Sequence, residues 1–340
     1  MIIRSVKLTN FRSHESFMLE CSPQTTTIVG ENGCGKTSVL EAIYEALQGK
    51  SFRAVDREIL RRGAEFYRVE LEYEDGRKTI AVYDGVKKEF VADDKKSKRL
   101  SKKSKYPIVL FEPDDLHLVG SSPVSRRNYF DRFFGQLSEQ YATSLLRYNK
   151  ALKQRNELLK EDELRPEDLF SWDILLTKHG AELMEWRRGF IDKVNERFTE
   201  VYRSIAENGD EVMLEYTSDI ESESSFLARL ERDYEKDRYL GHTSYGVHRD
   251  NYEFIFNQVK ADGSASRGEV RSSVLALKFI EAEMIMGIIR KRPVVLLDDV
   301  FSELDEVRQK CLVRNFQENQ IILTSVGGKE DLGACVKLKR

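Results

Sequence analysis

Apolar and polar side chains alternate over residues 2–8 and again over 17–19, the two-residue period of strands that bury one face. The pattern predicts a hairpin at the start of the chain. Thr25 to Val29 is a β-branched run that stops at Gly30, as a buried strand does. Beyond Lys36 the period changes. Val39, Leu40, Ile43 and Leu47 have helical spacing and Gly49 ends the pattern, so strand, glycine loop and helix follow in that order. Further strands are predicted at 67–73, 79–83 and 107–111, with Asp75-Gly76 and Asp84-Gly85 as turns.

From about 122 to 206 glycine is scarce and helix formers dominate. Tyr141, Leu145, Tyr148, Leu152 and Leu159 form an apolar stripe interrupted by Arg155. Pro166 suits a first helical turn, and Leu183, Trp186, Phe190, Val194, Phe198, Val201 and Ile205 share one helix face. Two long helices folded against each other satisfy both stripes, with Trp172 and Trp186 as packing residues. Strand patterns return at 212–216, 252–256, 294–297 and 320–324, with a helix at about 268–290. The two ends of the chain resemble each other more than either resembles the middle. The predicted architecture is α/β, a head built from residues 1–120 and 236–340 around an inserted helical lobe, 121–235.

The chain has 340 residues, 40% of them hydrophobic, enough for a core of this size. No apolar block precedes a small-residue cleavage site and no run of 18 apolar residues occurs, so a cytoplasmic protein with no membrane partner is expected. Cys21, Cys34, Cys311 and Cys335 make no CxxC pair, which argues against a zinc site or a disulfide framework. A net charge of -3 gives no whole-chain sign of a polyanionic partner. Local charge differs: seven lysines and arginines crowd between Asp94 and Tyr106, and Arg61-Arg62 and Arg126-Arg127 form basic pairs. A solvated hairpin loop and a phosphate-backbone contact both fit the long run.

Two segments carry chemistry. GENGCGKT, comprising Gly30, Glu31, Asn32, Gly33, Cys34, Gly35, Lys36 and Thr37, matches GxxxxGK[ST] between a strand and a helix. In that context the glycines let backbone N–H groups face a phosphate, Lys36 reaches the β- and γ-phosphates, and Thr37 offers its hydroxyl to Mg²⁺. VVLLDDVFSELD, residues 294–305, ends a buried strand in two carboxylates. Asp298 is placed to hold Mg²⁺ through its water shell, and Asp299 to orient or deprotonate an attacking water. Between them, Ser266, Arg267 and Gly268 precede a long helix. Ser266 with Glu269 reads as a capping box, and equally as a γ-phosphate sensor.

Together these segments resemble the RecF family of the ABC and SMC superclass of ATPases, over nearly the whole chain. LTNFRSHESF, GENGCGKTSVLEAIY, GKSFR at 49–53, VLFEPDDLHLV, SSPVSRRNYFD, GVHRDNYEF, the signature-like SRGE at 266–269, LLDDVFSELD and QIILTS all look like family phrases. The resemblance implies an ABC-type head that binds ATP and Mg²⁺ and dimerises with ATP. Ser266 and Gly268 of one copy would act on the γ-phosphate held by Lys36 of the other, with Arg12 near the adenosine and Asp305 in a loop crossing the interface. It further implies a clamp on double-stranded DNA near gaps, where single-stranded DNA is also present. A RecR-like mediator, RecA loading and the SOS response belong to the same picture. Asp299 stands where most ABC heads have glutamate, and its shorter reach predicts slow hydrolysis; the resemblance implies that the ATPase is DNA-dependent. The chain departs from common patterns at Cys34, at Val247 in place of proline and at Glu269 in place of glutamine, while Thr324 falls where transporter-type heads carry histidine. His248 and Arg249 read as a structural turn or as a phosphate or DNA contact. The alternative, the head of an SMC-like chromosome-organising ATPase, is disfavoured because such heads are split by hundreds of heptad residues. A transporter subunit or nuclease is further away, with no clear glutamine loop and no extra acid cluster.

Overall fold

The computed structural model describes residues 1–101, 103–261, 265–326 and 334–338, so Lys102 of the basic run lies outside the described residues. In chain order the strands and helices are β1 (Ile3–Phe11), β2 (His14–Glu20), β3 (Thr25–Val29), α1 (Lys36–Gln48), α2 (Asp56–Ile59), β4 (Tyr67–Tyr73), β5 (Lys78–Tyr83), β6 (Lys88–Ala92), β7 (Lys95–Ser97) and β8 (Ile108–Phe111). They continue with α3 (Pro123–Leu137), α4 (Glu139–Leu158), α5 (Pro166–Ala206), β9 (Val212–Thr217), α6 (Glu223–Arg232), α7 (Tyr234–Leu240), β10 (Asn251–Phe256) and β11 (Val259–Lys260). Last come α8 (Arg267–Ile289), β12 (Val294–Leu297), α9 (Glu306–Asn315), β13 (Ile321–Ser325) and β14 (Ala334–Lys337). The chain parts into two compact units, Met1–Asp115 with Glu281–Arg340, and Leu116–Ile280.

In the first unit, β2-β1-β4-β5-β6-β7 form an antiparallel sheet, and β14-β3-β13-β12-β8 form a second sheet whose neighbours all run parallel. β8 and β12 are buried at every residue, as parallel strands covered on both faces must be. Helix α1 packs against strands of both sheets and is almost wholly buried. It therefore carries Val39, Leu40, Ile43 and Leu47 on one side and needs partners for two buried glutamates on another. Glu41 accepts two bonds from Arg12, at 2.9 and 2.8 Å. Glu45 accepts from Tyr67 and sits 2.7 Å from the Lys88 ammonium, and burial raises its carboxyl pKa. The two chain ends meet through Gln320, whose amide exchanges bonds of 2.8 and 2.7 Å with the backbone of Ile3.

Part of the basic run is a strand: β7 pairs with β6 at the sheet edge, where Lys96 meets Glu89 at 2.7 Å. Lysines on an edge strand discourage pairing with further strands.

The second unit packs α3, α4 and α5 with an antiparallel β11-β10-β9 sheet. Seven residues, 159–165, separate α4 from α5, and Pro166 opens α5 at its first turn. Trp186 stacks on Phe190 at 5.5 Å within α5. Arg155, the interruption in the apolar stripe, is fully buried and is held by Asp173, Asp237 and Thr243 at 2.6, 2.7 and 2.9 Å. Arg187 is buried likewise, against Asp131, Asp250 and the Val247 carbonyl. These two arginines each meet acids from other segments, the condition under which a buried charge is tolerated, and one terminal nitrogen of Arg155 is left without a hydrogen-bond partner among the described residues.

Candidate functional site

The loop from Gly30 to Thr37 joins β3 to α1, and its glycines are required for two different reasons. Gly33 and Gly35 have φ of 82 and 96°, in the left-handed region that L side chains avoid. A Cβ on Gly30 would lie 2.6 Å from the Cys34 sulfur and 2.9 Å from the Leu338 carbonyl, so there the constraint is space. Among the described residues no side chain caps the first turn of α1. Its N–H groups remain available to an anion, reinforced by the helix dipole. The Lys36 ammonium, only 4% exposed, donates to the carbonyls of Gly30 (2.9 Å) and Glu31 (3.2 Å) and stands 3.7 Å from the Asp299 carboxylate.

Strand order brings the acids to this loop. β3 is next to β13 and β13 is next to β12, so the residues at their carboxyl ends adjoin. Asp298, following β12, accepts bonds from the hydroxyls of Thr37 (2.8 Å) and Thr324 (3.0 Å). Burial raises the Asp298 carboxyl pKa, and these two hydroxyls act against that shift. The Thr324 oxygen also accepts from the Asp299 N–H at 2.8 Å. Asp299 has φ of 49°, a left-handed conformation that aspartate tolerates better than most residues. One of its carboxylate oxygens is buried without a hydrogen-bond partner among the described residues. Sequence reading marked Thr324 only as a missing histidine. In the fold it is the tie between both aspartates, at the point in the sequence where the hydroxyl residues Thr324 and Ser325 end the apolar run IIL. Replacement Thr324→Val keeps the shape but leaves a buried N–H and a carboxylate short of partners. An unfolding free energy lower by about 1–3 kcal/mol is expected, and chemical denaturation measures it.

Lys36, Thr37 and Asp299 border a cavity of about 1050 Å³, to which Arg12, Lys36, Arg53, Arg57, Arg61 and Arg62 contribute positive charge against Glu58 and Asp299. Arg12 reaches it from the turn between β1 and β2, with its guanidinium held by Glu41 and the Glu58 carbonyl. Arg53 and Arg57 were missed as site residues by sequence reading, although Arg53, Arg57 and Arg61 recur every four residues. The arrangement suits a polyanion, with main-chain N–H groups and a lysine on one wall and arginines on another. Asn32 and Gly33 also line it.

Ser266 and Gly268 belong to the other compact unit. Ser266 N donates to Glu269 and Glu269 N donates to the Ser266 hydroxyl at 3.3 Å, the reciprocal capping box at the start of α8. Asp305 caps α9, accepting from the Arg308 N–H at 3.0 Å. His248 is bonded to the Tyr148 hydroxyl (2.7 Å) and the Thr243 carbonyl (3.1 Å), and burial lowers its pKa to about 4. It is therefore neutral at pH 7, which favours the structural turn. Arg126 and Arg127 are also spent internally, on Asn251 and on the Asp250 carbonyl.

Thr37 and Asp298 offer hard oxygen donors side by side, and this is the set that Mg²⁺ accepts when phosphates and water complete its shell. Among the described residues no group of three or more histidines, cysteines or acids could hold a metal by itself. No described helix is long and apolar enough to cross a membrane.

The AAA ATPase domain family matches residues 1–229. A "DNA replication and repair protein RecF" of Clostridium botulinum (strain ATCC 19397 / Type A) is 33% identical over 341 residues, covering 97% of this chain and 94% of that protein. The protein of the same description from Lachnoclostridium phytofermentans is 33% identical over 349 residues, covering 100% and 97%. Among solved structures, that of the recombination mediator protein RecF with ATP aligns with a TM-score of 0.87 at 26% identity, over 99% of this chain and 95% of that one. An Smc head bound to the C-winged helix domain of ScpA aligns at 0.56 and 15% identity, over 100% and 95%, a likeness of fold alone. With an α/β ATPase head of this kind and relatives matched almost end to end, the chain belongs to the RecF family.

Proposed function

We propose that this chain is a DNA replication and repair ATPase that closes as an ATP-dependent homodimer on double-stranded DNA near gaps and opens on slow hydrolysis. The observation that supports it most is the convergence of Lys36, Thr37, Asp298, Asp299 and Thr324 at one end of the parallel sheet, beside the cationic cavity. In this reading the N–H groups of residues 30–37 hold the β-phosphate of ATP, Lys36 spans the β- and γ-phosphates, and Arg12 lies toward the adenosine. Thr37 and Asp298 hold Mg²⁺, which when bound offsets phosphate charge. Asp299 positions the attacking water through its free carboxylate oxygen. Its side chain is one methylene shorter than glutamate, which supports a switch with a low turnover rate.

The functional head of this reading takes residues 1–120 with 236–340, so that Ser266 and Gly268 of the partner subunit close over the γ-phosphate held by Lys36. DNA binding then depends on nucleotide through dimer closure. A RecR-like mediator, assistance to RecA loading at single-stranded gaps, the SOS response and a cytoplasmic site of action complete the proposal. The SMC-like alternative is less well supported because residues 159–165 close the helix pair, leaving no long arm.

The decisive experiment is duplex-DNA binding with ATP and with ADP at several salt concentrations. Tighter binding with ATP, by about tenfold or more at a fixed salt concentration, is expected. Equal affinity with both nucleotides removes the switch.

A further inference from the structure

A second basic cleft, of about 420 Å³, lies in the first unit, its cations supplied by three separate segments. The β4–β5 hairpin supplies Arg77 and Lys78, the stretch before β8 supplies Lys103 and Lys105, and the turn between α8 and β12 supplies Arg290, Lys291 and Arg292. Asp93 is the one acid in this lining. Some of these charges have local partners: Arg77 meets Asp75, Lys78 meets Glu70 and Glu72, and Arg292 meets Glu318. Lys103 and Arg290 have no acidic partner among the described residues, and Lys291 stands over the Tyr106 ring at 5.6 Å. A cation or two at the end of α8 is accounted for by the helix dipole. Lys103, which comes from another segment and has no acid beside it among the described residues, is not.

Arg290 adds an independent observation. It follows the last turn of α8 with φ of 60°, a left-handed helix-end conformation that is usually taken by glycine or asparagine. An arginine kept in a strained position points to use of its charge. The cleft is also placed away from the nucleotide residues: Val294 and Ile108, which pair in register, begin β12 and β8 just beyond these cations, whereas Asp298 leaves β12 at its other end. Tyr73 and Tyr106 in its wall are packed down, 3% and 7% exposed, and present no free ring on which an unpaired base could stack. What remains is an array of exposed positive charge suited to a phosphate backbone without base reading.

We infer that this cleft grips the sugar–phosphate backbone of duplex DNA, independently of sequence, and that it does so without touching the nucleotide. The inference rests on the duplex-binding function proposed above and names the residues that make the contact. The test compares the full-length wild type with Lys103→Ala/Arg290→Gly/Lys291→Ala in duplex binding by fluorescence anisotropy, with ATP, from 50 to 200 mM salt. Loss of three phosphate contacts makes the slope of log K against log salt shallower by roughly 2.7, and weakens binding by about 100-fold or more at 100 mM. ATP affinity stays unchanged, and Arg290→Gly alone does not lower the thermal midpoint because glycine relieves the strained φ. If the wild type binds duplex and the triple variant binds it with the same affinity and slope, the cleft is not the contact and the proposed function stands. If the wild type does not bind duplex with ATP, that function falls and this site with it. Displacement of duplex by inorganic phosphate at constant ionic strength, or loss of single-stranded binding alone, assigns the cleft to another ligand and overturns the inference.

Discussion

Lys36→Ala is expected to weaken ATP binding at least 100-fold and to abolish nucleotide-driven dimerisation, while the fold survives. The ammonium is nearly buried; among the described residues it donates to two loop carbonyls and stands 3.7 Å from one carboxylate oxygen of Asp299. Charge-assisted hydrogen bonds contribute about 1.5–3 kcal/mol each, and two of them to phosphate oxygens correspond to a loss of about 3–6 kcal/mol, or 100-fold and more. The core around α1 is built from Val39, Leu40, Ile43 and Leu47 and does not include this side chain, so thermal unfolding should remain cooperative. Titration calorimetry with Mg-ATP and sedimentation with and without ATP measure the two effects. Retained affinity in the variant would falsify the assignment of Lys36 to the phosphates.

Asp299→Asn is expected to leave ATP binding intact and to hold the dimer closed, with hydrolysis slowed by about 10²–10⁴-fold, the usual range for a lost general base. Asparagine is nearly isosteric, and the bond from residue 299 to Thr324 uses the backbone N–H, so the tie between the strand ends is kept. The change removes the negative charge beside Lys36 and the carboxylate oxygen that has no partner. Phosphate release and sedimentation, run on the same sample with ATP, separate the outcomes. Unchanged turnover assigns the water to another group, and an ATP-independent monomer assigns Asp299 to assembly instead.

Much of the site was legible because its parts are local. The glycine loop is contiguous, its flanking periods change from strand to helix within a few residues, and the two aspartates follow an uninterrupted apolar run. The capping reading of Ser266 was legible for the same reason, since Ser266 and Glu269 are three residues apart. Short strands were harder. β6 and β7 lie in a lysine-rich stretch whose polarity resembles that of a loop, and the pairing of β6 with β5 and of β7 with β6 is what makes them strands.

Amino-acid order by itself determined which of the longer segments curl or extend, where the backbone must be glycine, and which residue types stand ready for phosphate and metal. Only tertiary structure decided what meets what. Thr37 finds Asp298 across 261 positions because β13 lies between β3 and β12, and Thr324 becomes the tie between two acids by the same adjacency. Arg155 stops being an interruption in a helix stripe once acids from other segments meet it, and Arg187 is buried by the same means. Hydrophobic period reports which face of an element turns inward, and carries no information about which neighbour it meets there. Long-range charge pairing therefore has no signature along the chain until the strands are placed side by side.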